Sequence, residues 1–133
     1  MKVKRFGVSL EVDLLDKLDG LVLSNHFPNR SQAIRHLIQK IDVEHKWNDN
    51  EIVAGAIVLL YDHHKRDLQK QATSLQHDFH ELILAVQHVH LNHDNCLETI
   101  TVKGSAGKLR ELADKLIAIK GINHGELVMT STS

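Results

Sequence analysis

Residues 3–10, Val-Lys-Arg-Phe-Gly-Val-Ser-Leu, alternate in character: Phe6, Val8 and Leu10 fall on one face, Arg5, Gly7 and Ser9 on the other. A period of two marks a strand with one buried and one wet face. Only helical spacing follows it. Leu14, Leu15, Leu18, Leu21 and Val22 recur through VDLLDKLDGLVL, and NHFPNRS breaks that helix around Pro28, the one proline of the chain. Asn29 followed by Gln32 reads as an N-cap with its capping-box partner. Ala33, Ile34, Leu37, Ile38 and Ile41 then line one face of a second helix, and EHKWNDNE reads as a linker.

A lone strand cannot satisfy its own backbone, and roughly 45 residues bury too little apolar surface to stand alone. The economical solution is a dimer in which two strands pair antiparallel and four helices share one core. Arg5, Gly7 and Ser9 of both chains then lie on one exposed two-stranded ribbon, a shape that fits the DNA major groove. The competing account is a small dimerisation module with a wet strand face.

From about Glu51 the order is strand, helix, strand, strand, helix, strand. IVAGAIVLLY is a buried strand, and Leu68, Ala72, Leu75, Phe79 and Leu82 give LQKQATSLQHDFHEL a helical stripe. ILAVQHVHL and CLETITVKG flank the turn NHDN as a hairpin. SAGKLRELADKLIAIKG is an amphipathic helix closed by Gly121, and ELVMTST is the last strand. This is the ferredoxin-like order, an antiparallel sheet with two helices on one face. Many functions use that fold, so function must come from the site.

The site is suggested by HVHLNHDNCLE, His88 to Glu98, which gathers three of the 11 histidines and the only cysteine. Two apart on a strand, His88 and His90 leave the same face. Val89 and Leu91 then point the other way, toward the helices, so the two imidazoles are expected on the helix-free face, where another subunit can cover them. Cys96, just past the turn, is close enough to return to the same metal, although hairpin parity leaves its face open. A fourth ligand is wanted, and His77, on the wet side of this domain's first helix, is the leading local candidate. With that helix on the opposite face from His88 and His90, His77 is expected to serve a neighbouring subunit. Three nitrogens and one sulfur suit nickel, copper or zinc, square-planar geometry favouring Ni(II) or Cu(II) and tetrahedral geometry Zn(II). The bland alternative is a polar-edged strand and turn. His80 and His93 read as solvated, His63-His64-Lys65-Arg66 as the polar start of a helix, and His124 as a hydrogen-bonded histidine.

Other classes are poorly served. A net charge of −1 leaves nucleic-acid contact to a local basic patch rather than a global field. One cysteine excludes an intrachain disulfide framework and fits a reducing compartment. The start is too short and too alternating for a signal peptide, and the longest apolar run is half a membrane span. Cys96 has neither an orienting third group nor an oxyanion donor, and no phosphate loop or paired carboxylates are present, so an enzyme is not expected.

RFGVSL, NRSQAIRHLI, YDHHKRDL, LQHDFH, HVHLNHDNCLE and KGINHGEL, in that order, resemble the nickel-responsive transcriptional regulators of the ribbon-helix-helix class, over nearly the whole chain. The resemblance implies an α+β protein: a ribbon-helix-helix DNA-binding domain over 1–45, a linker over 46–51, and an ACT-like βαββαβ metal-binding and tetramerisation domain over 52–133. It implies one Ni(II) per subunit, held by His88, His90 and Cys96 of one subunit and His77 of another, with Glu98 orienting the ligands. It further implies a cytoplasmic homotetramer, a dimer of dimers, on a double-stranded DNA operator of palindromic half-sites, with no membrane role. Arg5 and Ser9 match DNA-facing ribbon positions, and Lys65 and Arg66 match a loop that touches the DNA backbone. The helix capped by Asn29 is placed to anchor a phosphate.

Two departures stand out. Gly7 occupies a ribbon position that is usually Ser or Thr, which removes one base-reading side chain. Gln32 and His36 stand where relatives often carry two carboxylates associated with a second, interdomain cation. Three rival readings remain: an ACT-type module for an amino acid or other small ligand, a regulator of another transition metal (Cu, Zn or Co), and a metal buffer without DNA function. The absence of a glycine-rich ligand loop weighs against the first, and the N-terminal ribbon against the last.

Overall fold

A computed structural model describes residues 1–132 and divides the chain into two compact units, one ending at Ile41 and the other beginning at Asp42. The first unit holds helix α1 (Val12–Ser24) and the start of helix α2 (Arg30–Asn48). Asn29 caps α2 as its sequence predicts, its side-chain Oδ1 accepting the Gln32 N–H at 2.9 Å. Arg30 then reaches back to α1 and donates two hydrogen bonds to the Asp19 carboxylate, at 2.7 and 2.9 Å. That guanidinium holds the Asp19 carboxyl below the usual range.

Ala33 is buried, but Leu14, Leu37, Ile38 and Ile41 are exposed although the helical pattern marks them as apolar contact positions. Phe6, Val8 and Leu10 are exposed too, and the strand expected over Val3–Leu10 does not form within the chain. The reason is elementary: a strand is defined by the ladder to its neighbour, and no other segment of this unit is extended. A second departure concerns EHKWNDNE, which is helical as far as Asn48. Trp47 is what a linker reading misses. It is buried in the core of the second unit, and its indole N–H donates to the Thr130 carbonyl at 3.0 Å.

The second unit is built on a four-stranded sheet of β1 (Ile52–Asp62), β2 (Ile83–His90), β3 (Asn95–Ser105) and β4 (Ile122–Thr130), in the order β2-β3-β1-β4 with every pair antiparallel. Helices α3 (Arg66–Asp78) and α4 (Ala106–Ile117) complete the βαββαβ order that the periodicities predict. Val53, Ile57, Leu59 and Tyr61 of β1 and Cys96, Ile100 and Val102 of β3 alternate inward, and form one core with Leu68 and Ala72 of α3 and Leu109, Leu112 and Leu116 of α4. Asn50, at φ +55°, turns the chain from α2 into β1, and its Oδ1 accepts the Gly107 N–H at 2.7 Å at the start of α4. Among the described residues no helix is long and apolar enough to cross a membrane.

Gly55 is required by close approach of the backbone. A Cβ there would lie 2.5 Å from the Val128 carbonyl oxygen on the paired strand β4, with Trp47 3.5 Å away. Gly55→Ala is therefore expected to destabilise this unit by about 1–3 kcal/mol. A lowered urea midpoint checks it; an unchanged midpoint would contradict this packing.

Candidate metal centre

The β2–β3 hairpin sets the site through its register. His88 lies opposite Glu98 and His90 opposite Cys96, while on the other side of β3 Tyr61 lies opposite Cys96 and Leu59 opposite Glu98. Directly paired residues share a face of the sheet. His88, His90, Cys96, Glu98 and Tyr61 therefore all project on the helix-bearing side. This corrects the expectation that the imidazoles occupy the helix-free face, and it resolves the parity that left Cys96 open. β2 is an edge strand, and its inward row is exposed there, so polar residues are tolerated at positions that would be apolar on a central strand.

Glu98 organises what the register brings together. It is 1% exposed, the one buried charged or polar residue of the described core. Burying a carboxylate is costly unless its oxygens are hydrogen-bonded. Two donors meet that demand, Gln76 Nε2 on Oε1 and the Tyr61 hydroxyl on Oε2, each at 2.9 Å, and His88 Nε2 lies 2.9 Å from Oε1. Burial pushes the Tyr61 phenol up, and the negative charge of Glu98 and the neighbouring Cys96 add to the shift.

The opposite edge of the His88 ring presents its other nitrogen, Nδ1, to Cys96. That nitrogen is 3.4 Å from Cys96 Sγ, within hydrogen-bonding reach of the thiol. Cys96 is fully buried, whereas the His88 side chain is 47% exposed. The pair suits a transition metal. Two donors sharing one ion through bonds of roughly 2.0 and 2.3 Å lie about 3–3.5 Å apart. A thiolate with imidazole nitrogens is the donor chemistry of nickel, copper and zinc. A carboxylate on the far ring nitrogen is the usual device for fixing the tautomer of a ligating histidine.

His90 stands across from Cys96, but its ring stacks on His63 at 4.3 Å and 17°. His63 and His64 belong to the turn after β1 rather than to a helix. His63 Nε2 contacts the His93 carbonyl oxygen at 2.9 Å, and His64 Nδ1 contacts Asp62 at 2.9 Å. The hydrogen bond from the His64 backbone N–H, aided by its ring, holds the Asp62 carboxyl low. His77 is exposed in the last turn of α3, its ring 6.0 Å from that of His80, whose Nδ1 meets the His77 carbonyl oxygen at 2.9 Å. Among the described residues no three His, Cys, Asp or Glu side chains of a single chain gather around one point in a way that could hold an ion.

Of the expected DNA-facing residues, Arg5, Gly7 and Ser9 are exposed in the N-terminal segment, Asn29 caps α2, and Lys65 and Arg66 are exposed at the start of α3. Sequence reasoning missed Tyr61, Gln76 and His63. Tyr61 shares the parity of Ile57 and Leu59, so its inward position was there to be read. Gln76 lies four residues after Ala72 and eight after Leu68, a polar side chain on an otherwise apolar stripe, which is a usable signal. His63 carries no comparable mark.

An α/β sheet domain that sets thiol, imidazole and carboxylate side by side on an edge hairpin is, by its chemistry, a transition-metal-binding module. Residues 54–130 match the family model described as the NikR C terminal nickel binding domain. The chain is 52% identical over 128 residues to a protein of Desulfovibrio desulfuricans named as a nickel-responsive regulator, covering 96% of this chain and 93% of that one. Relatives of the same name from Desulfotalea psychrophila (50% over 130 residues; 98% and 96% covered) and Thermococcus onnurineus (44% over 133 residues; 99% and 96% covered) are similar along their whole length. The chain belongs to the NikR family of nickel-responsive regulators, and the family is one of regulators rather than enzymes. An uncharacterized protein from Thermotoga maritima shares the fold, with a TM-score of 0.54 at 19% identity, over 59% of this chain and 98% of its own.

Tyr61 is the only tyrosine, so its ionisation is observable by itself. At about pH 11, one unit above the ordinary phenol value, an exposed tyrosine is about nine-tenths ionised. Native protein is expected to show no tyrosinate absorbance there. A phenol raised in the folded state contributes stability that is fully present below its unfolded value and lost as pH climbs above it, because only the unfolded chain releases the proton. The absorbance is therefore expected to appear together with unfolding; tyrosinate in folded protein would contradict the buried Tyr61–Glu98 bond.

Proposed function

We propose that this chain is a cytoplasmic, nickel-responsive, DNA-binding transcriptional regulator, and that it works as a homotetramer, a dimer of dimers. The single observation that carries the reading is the line Cys96 Sγ–His88 Nδ1, with Glu98 fixed behind Nε2 of the same ring. His88, His90 and Cys96 of one subunit hold the metal, and His77 of a neighbouring subunit completes the set, one Ni(II) per chain. His90 leaves its stack on His63 to do so. Bound nickel supplies coordination bonds that tie the β2–β3 hairpin of one chain to α3 of another.

Residues 1–45 form the ribbon-helix-helix dimer and residues 52–133 the ACT-like tetramerisation domain, with 46–51 joining them. Pairing with a second copy gives the segment Val3–Leu10 its missing strand partner and covers Phe6, Val8 and Leu10. Arg5 and Ser9 then read base edges, while Gly7 presents only backbone at the position between them. The N-terminus of the Asn29-capped helix and the cations Lys65 and Arg66 contact phosphates, which orient the protein without reading sequence. Because switching requires the metal to favour one arrangement of the assembly, operator DNA must tighten nickel binding reciprocally.

Titration of reduced protein with Ni(II) is expected to raise a thiolate-to-metal band that saturates at one metal per chain and is absent in Cys96→Ser. The affinity is expected to weaken as pH falls, because thiolate and imidazole must both lose protons to bind. An affinity constant down to about pH 5, where an ordinary histidine is largely protonated, would contradict this ligand set.

On operator DNA at fixed salt, nickel is expected to tighten binding, and equal affinities with and without nickel would end the regulatory reading. Arg5→Ala is expected to cost specific binding about 1–3 kcal/mol, whereas Lys65→Ala should weaken all sequences alike and reduce the salt slope by about one. A uniform loss with Arg5→Ala would remove it from base reading.

A further inference from the structure

Residues 1–10 carry three basic side chains, Lys2, Lys4 and Arg5, and no acidic one, in a chain whose net charge is −1. A local excess of this kind suits a polyanion. Every residue of the segment is exposed, and its alternation sets Arg5, Gly7 and Ser9 on one side and Phe6, Val8 and Leu10 on the other. The polar side therefore has a gap at its centre, with a long cation before it and a hydroxyl after it.

Glycine is unfavourable in an extended segment, because it has the most backbone freedom to lose and no side chain to pack. Two demands of a fold commonly require one, and Gly7 meets neither. Its φ is not positive, Gly121 being the one glycine in the left-handed region among the described residues. A Cβ at Gly7 would meet nothing within 4 Å, whereas at five of the seven glycines it would lie 3.0 Å or less from a neighbouring atom. Gly20 also has open space, but it sits on α1 between Asp19 and Leu21, away from the basic segment. For a glycine placed between Arg5 and Ser9, the remaining cause is the close approach of a body from outside the chain.

We propose that Gly7 is a specificity-determining notch: the missing side chain lets the ribbon seat against the floor of the DNA major groove, so that Arg5 and Ser9 reach base edges at hydrogen-bonding distance. The inference deepens the DNA-binding reading given under Proposed function and rests on it. A second copy pairs with the segment in the plane of the strands, so a Cβ at residue 7 projects from the open side rather than into the partner. There it acts as a spacer of about 1.5 Å, one carbon–carbon bond. Hydrogen bonds that need about 2.7–3.2 Å between heavy atoms do not survive such a displacement.

The test uses full-length, reduced, nickel-loaded protein at fixed salt. Wild type selects duplexes from a random pool, and affinities for the selected duplex and for an unrelated one are measured for wild type, Gly7→Ala, Gly7→Val and Gly20→Ala. Gly7→Ala is expected to weaken the selected duplex about tenfold and Gly7→Val further, with the unrelated duplex bound as by wild type. Both replacements hold an extended backbone better than glycine, so neither is expected to lower the urea midpoint. Gly20→Ala adds the same methyl away from the ribbon and is expected to bind both duplexes as wild type does.

Gly7→Ala and Gly7→Val proteins that bind the selected duplex as tightly as wild type, or tighter, would overturn the notch while leaving DNA binding intact. An equal loss on both duplexes, a lowered urea midpoint, or an equal loss in Gly20→Ala would overturn it too, because the cause would lie in the fold or the strand pairing rather than in the groove. Enrichment of no duplex by wild type would remove the DNA-binding reading, and the notch with it.

Discussion

The second unit turns on a buried carboxylate. Glu98 sits where the alternation of β3 calls for an apolar residue between Cys96 and Ile100, and each of its oxygens must be occupied for that to be tolerable. Its polar contacts come from three separate elements: hydrogen bonds from Tyr61 of β1 and Gln76 of α3, and the His88 ring of β2 2.9 Å away. One side chain thereby meets the histidine nearest the cysteine, the only tyrosine and the last turn of α3. An apolar residue in its place would pack as well, yet it would leave the Tyr61 hydroxyl and the Gln76 amide without their acceptor.

The two units share a physical condition that neither resolves within one chain. In the first, Phe6, Val8 and Leu10 form the apolar side of an alternating segment, and they are 73%, 58% and 43% exposed. Leu37, Ile38 and Ile41 on α2 are exposed as well. In the second, a thiol and an imidazole face each other, and the described residues of one chain bring too few further donors to enclose a cation. On the proposed reading, a second copy of the chain supplies both the cover for that apolar surface and the further ligand. On the proposed reading, assembly is what makes a strand of one segment and a closed metal site of the other.

Much of this was legible in the sequence because period and punctuation are local properties. The βαββαβ order follows from runs such as IVAGAIVLLY and from the stripe Leu68, Ala72, Leu75, Phe79, and the capping of α2 follows from Asn29 and Gln32. The nearness of His88, Cys96 and Glu98 follows from a short turn between two strands. What failed was the assignment of faces on β2. Val89 and Leu91 look like core residues, but Val89 pairs with Leu97 on the other face, and the inward row is Val86, His88 and His90. On an edge strand the hydrophobic rule loses force on both sides, so residue type cannot announce direction; only register can. Trp47 shows the same limit from the other side, since a tryptophan among charged and polar neighbours reads as linker until its distant partner at Thr130 is known.

That reversal of faces bears on how a site of this kind can report. Had the imidazoles lain on the helix-free side, a bound metal would touch the helices only through the sheet, and close-packed strands transmit little displacement. On the helix-bearing side, the ring that faces Cys96 is one carboxylate away from Gln76, and Gln76 is one residue from His77. The path from sulfur to helix then consists of polar contacts at 3.4, 2.9 and 2.9 Å. On the proposed reading, that chain of polar contacts is what links a metal at Cys96 to α3.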